Sequence, residues 1–200
     1  MVVHQLNTEL TCYDAGTNTI GRSAGVRWHV VTVEVDIADG LPGYSLLGLP
    51  DAALSESRDR VRSAIVNCGE VWPNRKVTVS LSPAWLPKSG SSFDLAICIA
   101  LLSAHETVPT ERISEVVFLG ELSLDGKIRS VRGVLPALMA AYKAGVTMAV
   151  VPAANVEEAQ LMQGMEIIPM HHLKQVLRWL RTGEREVEQQ IDLEWQPSDE

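Results

Sequence analysis

The chain has 200 residues, 46% hydrophobic and 21% charged, which suits one core of ordinary size plus some peripheral sequence. A formal net charge of -8 excludes a uniformly basic nucleic-acid surface and leaves room only for a local basic stripe. The three cysteines, Cys12, Cys68 and Cys98, are far apart and lack CxxC spacing, which argues against a disulfide framework or a zinc site, and Cys68 and Cys98 read as small core residues. No apolar run approaches the roughly 20 residues that span a bilayer, and the first residues lack a signal-peptide core, so no membrane contact and a cytoplasmic location are expected.

Residues 1–25 are polar and without sustained periodicity and read as a weakly ordered leader. A folded domain is expected over 26–182. It begins with Val31, Val33, Val35 and Ile37 alternating with Thr32, Glu34 and Asp36, the period-two pattern of a strand with one buried face. Two Gly-Leu-Pro turns bracket a short strand near Tyr44–Leu47. Asp51 is placed to cap a helix whose apolar stripe is Leu54, Val61, Ile65 and Cys68, ending at about Asn67 before Gly69. Val77, Val79 and Leu81 mark a second alternating strand, and the almost wholly apolar run Phe93–Ala104 predicts a helix buried on most sides.

Farther on, Val116–Leu119 reads as a strand and Glu121–Ile128 as a hairpin around Asp125-Gly126. Helix is expected over Gly133–Ala144, strand over Met148–Val151, helix over Val156–Met162, strand over Ile167–Met170, and a final amphipathic helix over His172–Arg181 that packs Trp179. Hairpins in the first half and alternating strands and helices in the second give an α/β class with a mixed sheet. Residues 183–200 are acidic and polar and read as a linker or tail.

No G-x-x-x-x-G-K-[ST] loop is present, so the chain by itself is not a P-loop ATPase. His171 and His172 are adjacent at a helix start, where successive side chains diverge by about 100 degrees and do not converge on one metal. Arg58, Arg60 and Arg62 lie on the first long helix. One reading is a solvated face with Glu56 and Arg60 paired at i,i+4. The sharper one has Arg58, Arg62, Arg75 and Lys76 contacting a subunit, an adjoining domain or a nucleic-acid backbone.

Ser92 raises the question of catalysis. A serine nucleophile needs a neighbouring base, and a lysine base must be desolvated for its pKa to fall toward neutrality. Lys127, after an Asp-Gly turn, and Lys143, in the last turn of a helix, sit where ammonium groups stay solvated. Ser91 or Ser92 followed by Asp94 is good N-terminal capping chemistry, and the residues favour capping over catalysis.

The motifs Gly40-Leu41-Pro42, Gly48-Leu49-Pro50-Asp51, Glu56 to Arg62 and Gly120 to Gly126 occur in an order that resembles the N-terminal domain of the ComM/YifB family of magnesium-chelatase-like AAA+ ATPases. The resemblance covers roughly 26–181. It implies a Lon-protease-like form of the ribosomal-protein-S-five domain-2-type fold, with a fainter likeness to the recombination ATPase RadA and to Lon. Laid on the Lon pattern, Pro87-Lys88-Ser89-Gly90-Ser91-Ser92 puts the family serine at Ser92, while the catalytic lysine falls on Leu135, which cannot act as a base. The resemblance therefore implies a non-catalytic accessory domain with no cofactor of its own. ATP and magnesium belong to the AAA+ module of full-length members, which form hexameric rings and, in ComM-like cases, drive DNA branch migration in natural transformation. That module is not in this sequence, so a fragment or a natural truncation is expected, with another copy, an ATPase ring or DNA as partner. A Ser92-dependent peptidase and an isolated DNA-binding module are the competing readings.

Overall fold

The computed structural model describes residues 6–15 and 27–185. Its first sheet has the strand order β1-β2-β4-β3, formed by β1 (Leu6–Ala15), β2 (Arg27–Ala38), β3 (Gly43–Leu47) and β4 (Lys76–Ser82). β2 runs antiparallel to β1 and β4, and β3 joins β4 in parallel, so the sheet is mixed as the sequence implied. Val33 lies opposite Leu81 and Val35 opposite Val79. These side chains are essentially buried, while Thr32, Glu34 and Asp36 on the other face stay partly exposed. That contrast is the physical content of the two-residue period.

Within the segment expected as a leader, residues 6–15 form β1, which pairs with residues 27–35 of β2. The register shifts between Glu9 and Thr11. A bulge of this kind interrupts the alternation by which a strand is recognised, so the segment carries no sustained period.

Asp51 caps as anticipated, accepting the Leu54 N–H at 2.7 Å. The helix it starts is split at Glu56 into α1 (Ala52–Ser55) and α2 (Ser57–Asn67), and Val61, Ala64 and Ile65 of α2 are buried. α3 (Asp94–Ala104) packs against α2 and the first sheet, and every one of its residues is buried. This accounts for its near-continuous apolar sequence.

The second half supplies β5 (Val116–Phe118), the hairpin β6 (Glu121–Leu122) and β7 (Ile128–Arg129), α4 (Val134–Lys143), β8 (Met148–Pro152), α5 (Val156–Ala159), β9 (Glu166–Met170) and α6 (Leu173–Thr182). β5, β8 and β9 form a parallel sheet in the order β5-β8-β9. α5 starts at Val156 as expected, directly after a 3-10 turn over Ala153–Asn155, but ends at Ala159, where the Leu161 and Met162 N–H groups turn back to the Glu158 and Ala159 carbonyls. α6 opens with a capping box in which His172 accepts the Lys174 N–H at 3.2 Å and Gln175 reaches back to the His172 N–H. Trp179 is buried in it, as expected, and Gly183 closes it in a left-handed conformation. Most of the expected tail, residues 186–200, lies outside the described residues.

Candidate functional site

The loop between β4 and α3 carries the Pro-Lys-Ser-Gly-Ser-Ser sequence, and its first part is locked down. Lys88 is only 1% exposed, and its ammonium donates to the carbonyls of Leu81, at 2.8 Å, and Pro83. Burial lowers its pKa. The Lys88 backbone N–H donates to Leu49 and its carbonyl accepts from Asp51, so the loop is stitched to the turn after β3. The Asp51 carboxylate also takes the Gly90 N–H at 3.1 Å. One carboxylate thus fixes both the start of α1 and the serine loop.

Behind the loop lies a buried ion pair. Asp94 has a fully buried side chain, and it accepts from Arg60 Nε at 2.6 Å, from Arg60 Nη2 at 3.0 Å and from the Leu122 N–H at 3.2 Å. Burial pushes the Asp94 carboxyl up to about 6 despite the hydrogen bond and charge of Arg60. Arg60 also touches Glu56 at 3.8 Å, but its main commitment is inward, which corrects the reading of a purely solvated i,i+4 pair. The signal for this was present in the sequence. Asp94 interrupts an otherwise apolar run, and a buried carboxylate requires a partner.

On the open side of the loop is a cleft of about 610 Å³, lined among others by Trp28, Ser91, Ser92, Glu121, Arg132 and Val134. Ser91 Oγ donates to the Glu121 carboxylate. The Ser92 carbonyl accepts the Gly120 N–H at 3.2 Å and the Leu95 N–H donates back to Gly120 O, holding the loop against the hairpin β6–β7. Contrary to the capping expectation, the N-cap of α3 is Phe93 and no side chain caps it. Gly133 is required in the cleft wall: it has a left-handed backbone, and a Cβ there would stand 2.3 Å from the Trp28 ring.

No lysine lines this cleft. Leu135 sits in the first turn of α4, outside the lining, with its N–H on the Glu158 carboxylate at 3.0 Å. Lys127 is exposed and pairs with Asp125 at 3.2 Å, and Lys143 borders a separate shallow cleft near His29 and Met139. Lys88, buried and with a lowered pKa, is the lysine that sequence reasoning passed over. Nothing in its spacing distinguishes it, and its ammonium is directed at the end of β4.

Two of the four basic candidates are engaged with neighbouring side chains. Arg58 lies over the Tyr44 ring at 5.9 Å, Arg75 pairs with Asp39, and Arg62 shares a shallow cleft with Asp59. Lys76 is exposed at the start of β4, in register with Gly43. Among the described residues, no three His, Cys, Asp or Glu side chains converge as a metal site.

Comparison with known proteins decides the kinship. Residues 33–155 match the sequence profile of subunit ChlI of Mg-chelatase, which is more than half of the chain. The chain belongs to the ChlI family. Within it, an uncharacterized protein of Mycobacterium tuberculosis is 52% identical over 157 residues, covering 78% of this chain and 31% of the relative. YifB of Escherichia coli is 42% identical over 156 residues, with the same coverage, and the competence protein ComM of Haemophilus influenzae 37% over 163 residues, covering 82% and 32%. These likenesses support the ComM/YifB branch of the ChlI family. This chain spans about a third of the length of those relatives. A more distant likeness, 26% over 186 residues, extends to a Lon protease of Buchnera aphidicola. No helix among the described residues is long and apolar enough to cross a membrane.

Proposed function

We propose that this chain is a non-catalytic, Lon-like accessory domain of a cytoplasmic magnesium-chelatase-like AAA+ ATPase of the ComM/YifB type, serving assembly and DNA processing and not peptide-bond cleavage. The observation that carries the reading is the composition of the Ser92 cleft, whose basic group is Arg132. A guanidinium stays protonated and accepts no proton from a serine. Lys88 turns its ammonium to the carbonyls of Leu81 and Pro83 and is not among the residues that line the cleft, and the resemblance to Lon puts the lysine of that pattern on Leu135. Glu121 already accepts from Ser91, and a carboxylate is too weak a base to ionise an ordinary serine hydroxyl by itself.

Assembly draws support from β3, an edge strand flanked by the exposed side chains of Leu41, Leu47 and Leu49. Exposed apolar groups beside an open sheet edge favour pairing with another polypeptide, here a second copy or an ATPase ring. ATP and magnesium chemistry is assigned to the AAA+ module of full-length family members. A DNA role rests on Arg58, Arg62, Arg75 and Lys76, of which Arg75 is already ion-paired to Asp39.

Two assays test the proposal. Incubation with an unfolded protein substrate and labelling by a serine-reactive phosphonate are expected to show no Ser92-dependent activity, and activity abolished by Ser92→Ala overturns the scaffold reading. DNA contact predicts salt-sensitive binding that weakens when Arg58 and Arg62 are changed to alanine. Absence of binding to single- and double-stranded DNA at low salt removes that role from the isolated domain.

A further inference from the structure

The Ser92 cleft retains a set of polar groups that the fold does not use. The backbone N–H groups of Ser91 and Ser92, the Ser92 hydroxyl and the Arg132 guanidinium make no hydrogen bond or ion pair with any described residue. All belong to residues lining one cavity of about 610 Å³, within the range of sites that take small ligands. This contrasts with the other face of the same loop, where Lys88, Gly90 and Asp94 are all satisfied.

The unused groups are donors, which selects an anion as their complement. The cavity also contains Glu121, so Arg132 is balanced by a carboxylate and the site as a whole is close to neutral. A phosphodiester chain or a phosphate dianion gains no net charge attraction there, whereas a monoanion attached to a group that donates to Glu121 can use both charges. The remaining wall is apolar and contains Trp28, Leu119, Val131 and Val134. We propose that this cleft is a receptor for the C-terminal carboxylate of a polypeptide. Arg132 and the N–H groups of Ser91 and Ser92 receive the carboxylate, Glu121 accepts an amide N–H, and the apolar wall takes the last side chain. Such a site binds a chain end without cleaving it, and it does not depend on whether the domain contacts DNA or forms a ring.

The test is a titration of the ¹⁵N-labelled chain with an acetylated tripeptide that ends in leucine with a free carboxylate. Parallel titrations use its C-terminal amide, an amidated tripeptide with an internal glutamate, and inorganic phosphate. The free acid is expected to shift the Ser91 and Ser92 amide resonances saturably, with at least about tenfold weaker binding by the amide. Arg132→Gln, at an exposed position where the fold does not rely on the side chain, is expected to abolish the difference between acid and amide. No saturable shift up to about 10 mM peptide overturns the proposal. So does equal binding of acid and amide, equal binding of the internal glutamate, or a response to phosphate that matches the peptide acid.

Discussion

Lys88 and Ser92 lie on one short loop, and the structure treats them in opposite ways. Lys88 is buried, tied by its ammonium to two carbonyls and by its backbone to the turn after β3. The Ser92 side chain lines an open cleft and holds nothing in place. The same division separates Asp94, fully buried and bonded three ways, from Arg132, exposed and unengaged among the described residues. Polar groups on the inner side of the loop are structural because removing a partner strands a buried charge or carbonyl. Those on the cleft side can be altered at little cost to the fold, which is the condition for a site to change its chemistry while the architecture persists.

The strongest way to break this division is Arg60→Met. It leaves the Asp94 carboxyl without its ion-pair partner, and a stranded buried charge costs about 4 kcal/mol. Urea unfolding at neutral pH is expected to show a loss of that order, shrinking as the pH is lowered and Asp94 takes up a proton. A loss below about 1 kcal/mol, the range of exposed pairs, would return Arg60 to the solvated face.

Next in size is the pH dependence that Asp94 itself contributes. Its folded pKa, about 6, lies above the ordinary value of 3.8, so between these values the native state holds more proton than the unfolded chain. Stability from this group is therefore fully present below about pH 4 and is lost as the pH rises through about 6, by about 3 kcal/mol at most. Asp94→Asn is expected to remove this slope from a series of denaturation curves, while other carboxylates keep their own contributions. An unchanged slope would show that Arg60 and the Leu122 N–H hold Asp94 ionised throughout.

How far these features could be read beforehand differs for fold and site. Alternation at Val31 to Ile37 and Val77 to Leu81, the Asp51 cap and the Asp125-Gly126 hairpin are local, and local patterns survive folding unchanged. β1 escaped because its register shift breaks the alternation. Ser92 and Glu121 could be placed from motif order, but the side chains around them come from distant segments. Trp28 arrives from β2 and Arg132 from the loop before α4. Arg60 and Asp94 are 34 residues apart, and periodicity says which face a side chain takes without naming its partner. Lys88 was hidden for a further reason, since lysine is almost never fully buried and a loop lysine gives no hint of two carbonyls waiting for it.

Lys88→Met tests the inner anchor at a smaller scale. Methionine retains much of the apolar stem, so the loss isolates the two carbonyls left without a donor, about 2 kcal/mol after water and relaxation recover part of it. The expected signature is a lowered denaturation midpoint with an unchanged urea slope. A variant as stable as the parent would mean that the Leu81 and Pro83 carbonyls are satisfied by solvent and that the lysine is incidental.

The finest distinction lies between Ser91 and Ser92. Ser91 Oγ bonds to Glu121 and links the loop to the hairpin, so Ser91→Ala is expected to cost about 1 kcal/mol. Ser92 Oγ has no described partner, and Ser92→Ala should fall within about 0.5 kcal/mol of the parent chain. Thermal denaturation of the two variants side by side resolves the difference. If Ser92 were instead the cap of α3, its loss would cost about 1 kcal/mol as caps generally do, and the two variants would be destabilised alike. A silent Ser92 and a costly Ser91 would show that the family serine position no longer takes part in folding, leaving its hydroxyl and N–H free for whatever occupies the cleft.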